Sequence, residues 1–248
     1  MKIKKNGSNE QSEGTGYVLQ VILWRLVSAS LKHPSKLQFK SVNSVFPMNA
    51  PQLIVFEGVD AAGKSTVCDS YIRVLADHGV SVRLLSFPGK EPGTLGDLVY
   101  QVHHVPESKG VVRHPTEASL QALHIAAHLD AIESVIVPSL VAGETVVLDR
   151  YWWSTWVYGV VGGADPDVIG ALIEAERLAW REWQPGLVFH VTRTTPLREE
   201  PPVKWQKLCL EYDALAAREA DRYPVCVLSN DGKLEDTVKN AFAKSHGL

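Results

Sequence analysis

Residues 56–66, which read FEGVDAAGKST, constrain the fold more than any other segment of the chain. Gly58 and Gly63 are separated by four residues, and Lys64 and Ser65 follow at once. The two glycines let the backbone turn tightly with its N–H groups facing an anion, and a helix starting there adds the positive end of its dipole. Because an apolar run precedes the segment and a helix-forming run follows it, the pattern predicts a phosphate-binding loop between a strand and a helix.

This loop assigns a first set of candidate residues. Lys64 is predicted to reach the β- and γ-phosphates of a nucleotide, and the Ser65 hydroxyl is predicted to ligate Mg²⁺. The predicted phosphate cradle comprises Gly58, Val59, Asp60, Ala61, Ala62, Gly63, Lys64, Ser65 and Thr66.

Charge and cysteine content limit the classes of partner. A net charge of −3 provides no basic field to follow a nucleic-acid backbone, so we expect a small-molecule ligand at a local anion site and no nucleic acid. Three unclustered cysteines fit a reducing compartment, which predicts a cytoplasmic location. No segment is expected to be apolar and long enough to span a bilayer, so no membrane association is predicted.

The first 47 residues are interpreted separately. The chain has two methionines, Met1 and Met48, and Met48 lies just before the first predicted strand. We therefore expect residues 1–47 to be an N-terminal extension, either disordered or the product of a misassigned start, and residues 48–248 to form the folded domain.

From residue 51 onward, short apolar runs alternate with longer helical stretches. The predicted strands, each with a central Val, Ile, Leu or Phe cluster, are residues 52–57, 81–87, 145–149, 187–191 and 225–228. The predicted helices are residues 64–78, 95–102, 116–141, 153–161, 166–182, 204–222 and 234–244. This alternation predicts an α/β fold of the P-loop NTPase type, with a doubly wound five-stranded parallel sheet flanked by helices. Ligands bind such sheets at the carboxyl ends of the strands.

A second constellation lies at the end of the third predicted strand, where Asp149, Arg150 and Tyr151 follow an apolar run. An aspartate at this position lies beside the phosphate loop and can hold Mg²⁺ directly or through water. Arg150 can make bidentate contacts with a phosphate.

These segments resemble the thymidylate kinase family of nucleoside monophosphate kinases. Residues 56–66 are very similar to the phosphate loop of that family, and Asp149-Arg150-Tyr151, with Ser154 and Tyr158, resembles its Asp-Arg-Tyr signature. Residues 87–94 resemble its Arg-Glu-Pro-Gly segment, with Lys90 in place of the arginine.

The resemblance implies phosphoryl transfer from ATP and Mg²⁺ to a nucleoside monophosphate, most simply dTMP, by a homodimer whose interface includes residues 120–141. It implies that Asp60 accepts a hydrogen bond from the acceptor sugar, that Asp149 organises Mg²⁺ and that Arg150 binds the acceptor phosphate. Phe87, Lys90 and Tyr158 would line the acceptor pocket. Because Ala61 follows Asp60 where other members carry an arginine, the transition-state cation is expected from a short lid at about residues 192–204, from Arg193 or Arg198.

The chain departs from the family pattern at the base-contacting helix. Ile125 replaces an aromatic residue, and His128-Leu129 replaces Asp-Arg. The arginine of that pair contacts both thymine and the acceptor phosphate, and Leu129 can do neither. Two interpretations stay open: the acceptor is altered, or His128 or Lys90 compensates.

Two further functions compete with a monophosphate kinase. A deoxynucleoside kinase would use a general-base carboxylate, which Glu57 could supply. A nucleotide-binding regulator without turnover would be consistent with the shortened, proline-rich lid.

Overall fold

A five-stranded parallel sheet organises the part of the chain that the structure describes, residues 52–104 and 115–246 of a computed structural model. Its strands are β1 (Leu53–Glu57), β2 (Val82–Ser86), β3 (Thr145–Asp149), β4 (Leu187–Thr192) and β5 (Val225–Ser229). Their order across the sheet is β2-β3-β1-β4-β5, and every neighbouring pair is parallel. The predicted fold class is confirmed, whereas the predicted extension, residues 1–47, lies outside the described residues.

Helices flank this sheet. They are α1 (Lys64–Asp77), α2 (Leu95–His104), α3 (Glu117–Ala131), α4 (Val137–Val141), α5 (Trp152–Val161), α6 (Pro166–Trp180), α7 (Pro202–Glu219) and α8 (Leu234–His246). The predicted helix at 116–141 is interrupted by a π-helical turn, Ile132–Ile136, which ends two residues before Pro138. Proline lacks the N–H that would bond to the carbonyl four residues earlier, and a π turn accommodates that loss without ending the helix.

The three central strands account for the apolar runs in the sequence. Every residue of β1 and β3, and all of β4 except its last residue, is buried, because helices cover both faces of the sheet. Phe56 of β1 stacks on Phe189 of β4 with ring centroids 4.8 Å apart, and Tyr71 of α1 meets Phe56 edge-on at 5.3 Å. These aromatic contacts pack α1 against the middle of the sheet.

The strand register determines which loops meet. Phe56 pairs with Asp149 of β3 and with Phe189 of β4, while Asp149 also pairs with Ser86 of β2. The carboxyl ends of β1, β2, β3 and β4 therefore lie along one edge, and the segments that follow them form a common rim.

The helical stretch Glu117–Val141 contradicts the expectation that no segment is long and apolar enough to span a bilayer. By length and apolar content alone, Glu117–Val141 could cross a membrane, so the prediction that no segment meets that test was wrong. Within the fold, Leu120, Ile125, Ile132 and Ile136 of this stretch are buried against the rest of the domain.

Gly58, at the end of β1, provides a test of how tightly the phosphate loop is packed. It has φ +144°, and a Cβ added to it would lie 2.3 Å from the backbone oxygen of Val191. We expect Gly58→Ala to lower the free energy of unfolding by about 2–4 kcal/mol, because a backbone atom of β4 must move. Urea unfolding followed by circular dichroism measures this change.

Gly79→Ala is the matched control. Gly79 also has positive φ, +78°, but no atom lies within 4 Å of the position that an added Cβ would take, so only the backbone strain of about 1 kcal/mol applies. Equal losses of stability in the two variants would contradict the close packing of the loop against β4.

Candidate active site

The phosphate loop is shaped by residues with left-handed backbone conformations. Gly63, at the start of α1, has φ +88°, and Ala61 has φ +63°. No side chain caps the first turn of α1, so its N–H groups are left for a ligand in the loop. The main-chain groups of the predicted cradle thus lie at the N-terminus of a 14-residue helix.

Lys64 lies folded across this loop. Its side chain is 5% exposed, its Nζ donates to the backbone oxygen of Val59 at 2.9 Å, and Nζ lies 3.9 Å from Asp60 Oδ1. Burial lowers the pKa of Lys64, and the nearby Arg150 guanidinium lowers it further, against the partial compensation of Asp60 and Asp149, to about 8. An anion in the loop would complete the neutralisation of this ammonium group.

Ser65 and Asp149, the predicted magnesium ligands, lie in contact. Ser65 Oγ donates to Asp149 Oδ2 at 2.5 Å, although the two residues are 84 positions apart. The other carboxylate oxygen, Asp149 Oδ1, is buried and has no hydrogen-bond partner. A buried anionic oxygen without a partner beside a hydroxyl is a donor set suited to a hard divalent cation such as Mg²⁺.

Arg150 and Asp60 form an ion pair next to the loop. The backbone of Arg150 has φ +86°, an unfavourable conformation for a residue with a side chain, and it turns the guanidinium towards Asp60. Arg150 Nη2 donates to Asp60 Oδ1, and Nη1 donates to Ser154 Oγ at 3.2 Å. Burial raises the pKa of Asp60, but Arg150 and Lys64 outweigh that effect and hold the pKa well below its usual range.

The main chain of Asp60 is held by two aromatic side chains. Its N–H donates to the Tyr158 hydroxyl at 3.0 Å, and its carbonyl accepts from Trp205 Nε1 at 2.9 Å. Tyr158 lies on α5 and Trp205 lies on α7, so the main chain of Asp60 is bonded to two different helices.

A cavity of about 360 Å³ opens beside the Asp60–Arg150 pair. All five residues predicted to contact the acceptor line it: Asp60, Phe87, Lys90, Arg150 and Tyr158. The volume falls within the range of small-molecule sites. The cavity and the phosphate loop therefore meet at Asp60.

Sequence reasoning missed much of the lining of this cavity. One face of α3 contributes Gln121 and His124 beside His128, which the sequence had offered as a compensating residue, and α7 contributes Lys204, Trp205 and Leu208. The spacing of the α3 residues, at i, i+3 and i+7, is that of a single helix face and was a usable signal. Nothing in the local sequence of α7 shows that its first turn returns to the loop after β1.

Of the three α3 residues that depart from the family pattern, Ile125 and Leu129 lie away from this cavity. Ile125 is buried in the core, and Leu129 packs against the core; neither lines the cavity. His128, which does line it, is 3% exposed and stacks on Phe87 with ring centroids 4.1 Å apart. An aromatic wall is therefore present, made by Phe87 and His128 in place of the expected residue at 125.

The predicted lid is shorter than expected. Thr192 still belongs to β4 and α7 begins at Pro202, so residues 193–201 form the connection, without a helix of their own. The Leu197 N–H donates to the Ala61 carbonyl at 2.9 Å, which places this connection directly on the phosphate loop.

Its two arginines differ in surroundings. Arg193 donates through Nη1 to the backbone oxygen of Asn230, and its Nε is buried. The side chain of Arg198 is 68% exposed and pairs with Glu200, a residue that lines the cavity.

Glu57 is fully buried and serves as an anchor. Its carboxylate accepts from the N–H groups of Tyr151 at 2.7 Å, Ser154 at 2.9 Å and Gly58 at 3.2 Å, and from the Ser154 hydroxyl at 2.9 Å. Burial raises the pKa of Glu57, partly offset by Arg150 and Lys64. The side chain does not line the cavity.

Fold and site together define a P-loop nucleotide-binding protein of the phosphotransferase type. A family model described as thymidylate kinase matches residues 56–191, more than half of the chain. This chain belongs to the thymidylate kinase family.

Individual relatives agree. A thymidylate kinase of Pelodictyon phaeoclathratiforme is 32% identical over 122 residues, covering 49% of this chain and 53% of the relative. A probable thymidylate kinase of Thermococcus kodakarensis is 31% identical over 168 residues, 65% of this chain and 76% of the relative. A thymidylate kinase of Legionella pneumophila strain Paris is 28% identical over 183 residues, which cover 72% of this chain and 82% of the relative. The chain thus matches between about half and four fifths of these relatives' lengths.

The pKa of Lys64 predicts a pH dependence of nucleotide binding. The folded-state pKa is lowered to about 8, and a bound triphosphate favours the ammonium form. Affinity for a non-hydrolysable ATP analogue should therefore be constant below pH 8 and fall above it, by at most about tenfold per pH unit. Calorimetric titrations between pH 6.5 and 9.5 measure this dependence.

Lys64→Met is the control for that experiment, because it removes the titrating group while keeping the length of the side chain. Its affinity should be weaker and no longer fall between pH 8 and 9.5. A wild-type affinity that does not change across pH 8 would refute the assignment of Lys64 to the phosphates.

Proposed function

We propose that this chain is a nucleoside monophosphate kinase that transfers the γ-phosphoryl group of ATP to dTMP, giving dTDP and ADP. The observation that carries this proposal is the Asp60–Arg150 pair, which lies where the phosphate loop meets the cavity of about 360 Å³. A donor bound in the loop and an acceptor bound in the cavity would have their phosphates on either side of this pair. Membership of the thymidylate kinase family supports the choice of dTMP.

The chemistry that these residues can provide is positioning and charge neutralisation. Lys64 and the loop N–H groups would hold the donor phosphates. Arg150 would exchange Asp60 for the acceptor phosphate, and Asp60 would then accept a hydrogen bond from the sugar hydroxyl. Tyr158 and Trp205 keep the Asp60 main chain in place while its side chain changes partner.

Mg²⁺ would be held by Ser65 and Asp149, whose Oδ1 lacks a partner. When bound, the ion supplies positive charge to the β- and γ-phosphates.

Between the two lid arginines, we propose Arg198 as the cation that approaches the transferring group. Arg198 is exposed and has only to release Glu200, whereas Arg193 is bonded to the Asn230 backbone. Closure of residues 193–201 over the loop would exclude water from the reacting phosphates.

The deoxynucleoside kinase alternative is disfavoured by Glu57. A general base must reach the hydroxyl that it deprotonates. Both oxygens of Glu57 accept hydrogen bonds from groups at the start of α5, and the residue is fully buried outside the cavity. A measurement of ADP release distinguishes the kinase from a nucleotide-binding regulator without turnover.

We further propose a homodimer. In the predicted interface stretch, residues 120–141, Leu123 and Val141 are exposed apolar residues, and so are Leu95 and Leu98 of the neighbouring α2. An apolar face on two packed helices fits association with a second copy. Sedimentation equilibrium should give about twice the chain mass of 27.3 kDa, lowered towards the monomer by Leu98→Glu; a monomeric wild type would contradict this proposal.

The three cysteines, Cys68, Cys209 and Cys226, are free thiols, which supports the proposed cytoplasmic location. Fractionation of cells that express the protein would test this proposal, and recovery in the membrane or secreted fraction would contradict it.

ADP release from ATP and Mg²⁺, measured with a panel of nucleoside monophosphates and nucleosides, tests the proposed reaction. We expect dTMP or dUMP to give the highest rate. Lys64→Ala should abolish turnover. Arg150→Ala should lower kcat/KM for the acceptor, by an amount that corresponds to a loss of about 2–4 kcal/mol of transition-state stabilisation. KM for ATP should change little, because Arg150 acts on the acceptor side.

Arg198→Ala in the same assay should lower kcat and leave the acceptor KM nearly unchanged, because its contact forms only on closure. Lys239→Ala, which removes an exposed lysine of α8, is the control and should match wild type. Equal rates with and without an acceptor would refute a kinase of this type, and nucleotide binding without any ADP release would favour the regulator.

A further inference from the structure

We propose that Asn230, in the loop after β5, is a positioning residue for the donor phosphates: its amide holds the Ala62 carbonyl and thereby aims the Gly63 N–H at the bound anion. This inference rests on the proposed function, because it requires that ATP binds in the phosphate loop. Asn230 lies 168 residues from Ala62 in the sequence and acts through the backbone of the loop, without a contact to the nucleotide.

A loop that surrounds an anion with N–H groups needs partners for its carbonyl groups. In a planar trans peptide, the C=O of one residue and the N–H of the next residue point in opposite directions. When the N–H groups turn towards an anion, the carbonyls of the same peptides turn outward, and a buried carbonyl without a partner is costly. The direction of an N–H donor can therefore be fixed by a group that bonds the preceding carbonyl.

Three successive carbonyls of the phosphate loop are bonded from outside the loop, each by a different segment. The donors come from α7, from the connection after β4 and from the loop after β5. They are Trp205 Nε1 to the Asp60 oxygen at 2.9 Å, the Leu197 N–H to the Ala61 oxygen at 2.9 Å, and Asn230 Nδ2 to the Ala62 oxygen at 2.8 Å. The backbone of residues 60–62 is therefore held along its whole length.

Among these three donors, Asn230 is the side chain that can act on the donor phosphates alone. Leu197 donates through its main chain, and Trp205 also lines the acceptor cavity. Asn230 is 6% exposed, and a Cβ added to Gly63 would lie 2.5 Å from its Nδ2. The amide is thus packed directly against the peptide between Ala62 and Gly63.

The end of β4 fixes the position of Asn230. The Asn230 N–H donates to the Thr192 oxygen at 2.9 Å, and the Asn230 carbonyl accepts from Arg193 Nη1. The next residue, Asp231, accepts from the N–H and the hydroxyl of Thr194 at 2.8 and 2.7 Å. Because its backbone is bonded on both sides, the Asn230 side chain meets the phosphate loop from a constant direction.

A residue that acts through the Gly63 N–H should affect the donor nucleotide and leave the acceptor unaffected. Without the Asn230 amide, the Ala62 carbonyl loses its partner, and the peptide that carries the Gly63 N–H is free to turn. Asp60, where the loop meets the cavity, keeps its own bond to Tyr158 at 3.0 Å. Affinity for a nucleoside triphosphate should therefore fall, while affinity for dTMP should stay near that of wild type.

Separate calorimetric titrations with dTMP and with a non-hydrolysable ATP analogue and Mg²⁺ test this inference. Asn230→Leu keeps nearly the size and shape of the side chain without a donor, and Asn230→Ala removes both the bulk and the donor. Each variant should bind the analogue about five- to tenfold more weakly than wild type, the usual effect of losing one neutral hydrogen bond. Binding of dTMP should be equal to that of wild type in both.

Asn240→Leu makes the same change at an exposed position of α8 and is the control, which should match wild type with both ligands. Thermal unfolding shows whether each variant is folded at the titration temperature, and Asn230→Ala alone decides if Asn230→Leu is not. Wild-type affinity for the analogue in either folded Asn230 variant, or an equal loss of affinity for dTMP, would overturn the inference.

The same measurements separate this inference from the proposed function. Failure of the folded wild type to bind the analogue would contradict both. Binding of the analogue that is weakened in the Asn230 variants, together with no ADP release by wild type in the kinase assay, would support the inference and contradict the proposed reaction alone.

Discussion

The buried carboxylate of Glu57 is the interaction on which the geometry of the site depends. It joins three parts of the chain: the first N–H of the phosphate loop at Gly58, the turn after β3 at Tyr151, and the first turn of α5 at Ser154. A carboxylate placed at a helix N-terminus is stabilised by the helix dipole and by several N–H donors. Because it ties the loop after β1 to the loop after β3, it fixes the position of the phosphate loop relative to Arg150 and the cavity.

Next to this anchor, two cationic side chains lie close to one carboxylate. Lys64 and Arg150 face Asp60 within the same small region, and the pKa shifts of Lys64 and Asp60 have opposite effects on their charges. Asp60 stays ionised, and Lys64, whose pKa is lowered to about 8, stays mostly protonated near neutral pH. A phosphate entering the loop or the cavity meets cations that are only partly neutralised, which favours binding of anions without a basic protein surface.

The strands and helices were predictable because each depends on a local pattern. The central strands are continuous apolar runs; the observed bounds of β3 equal the predicted ones, and those of β1 and β4 differ from them by one residue each. The π turn at Ile132–Ile136 was not predicted, although Pro138 marks its position, because apolar periodicity alone does not show how a helix absorbs a missing N–H. The packing of α6 against α3 could not be predicted either, because it depends on contacts between segments that are far apart in the sequence.

By itself, the sequence determined the phosphate loop, the acid that ends β3 and the base that follows it, because glycine conformations, a helix start and a strand end are encoded by adjacent residues. Only the tertiary structure decided the wall of the cavity at His128. It buried Glu176, 48 residues from His128, against that imidazole, and it packed Leu129 against the core. The physical reason is that hydrogen bonding and charge balance in a buried pair depend on packing between α3 and α6, which no local pattern of residues specifies.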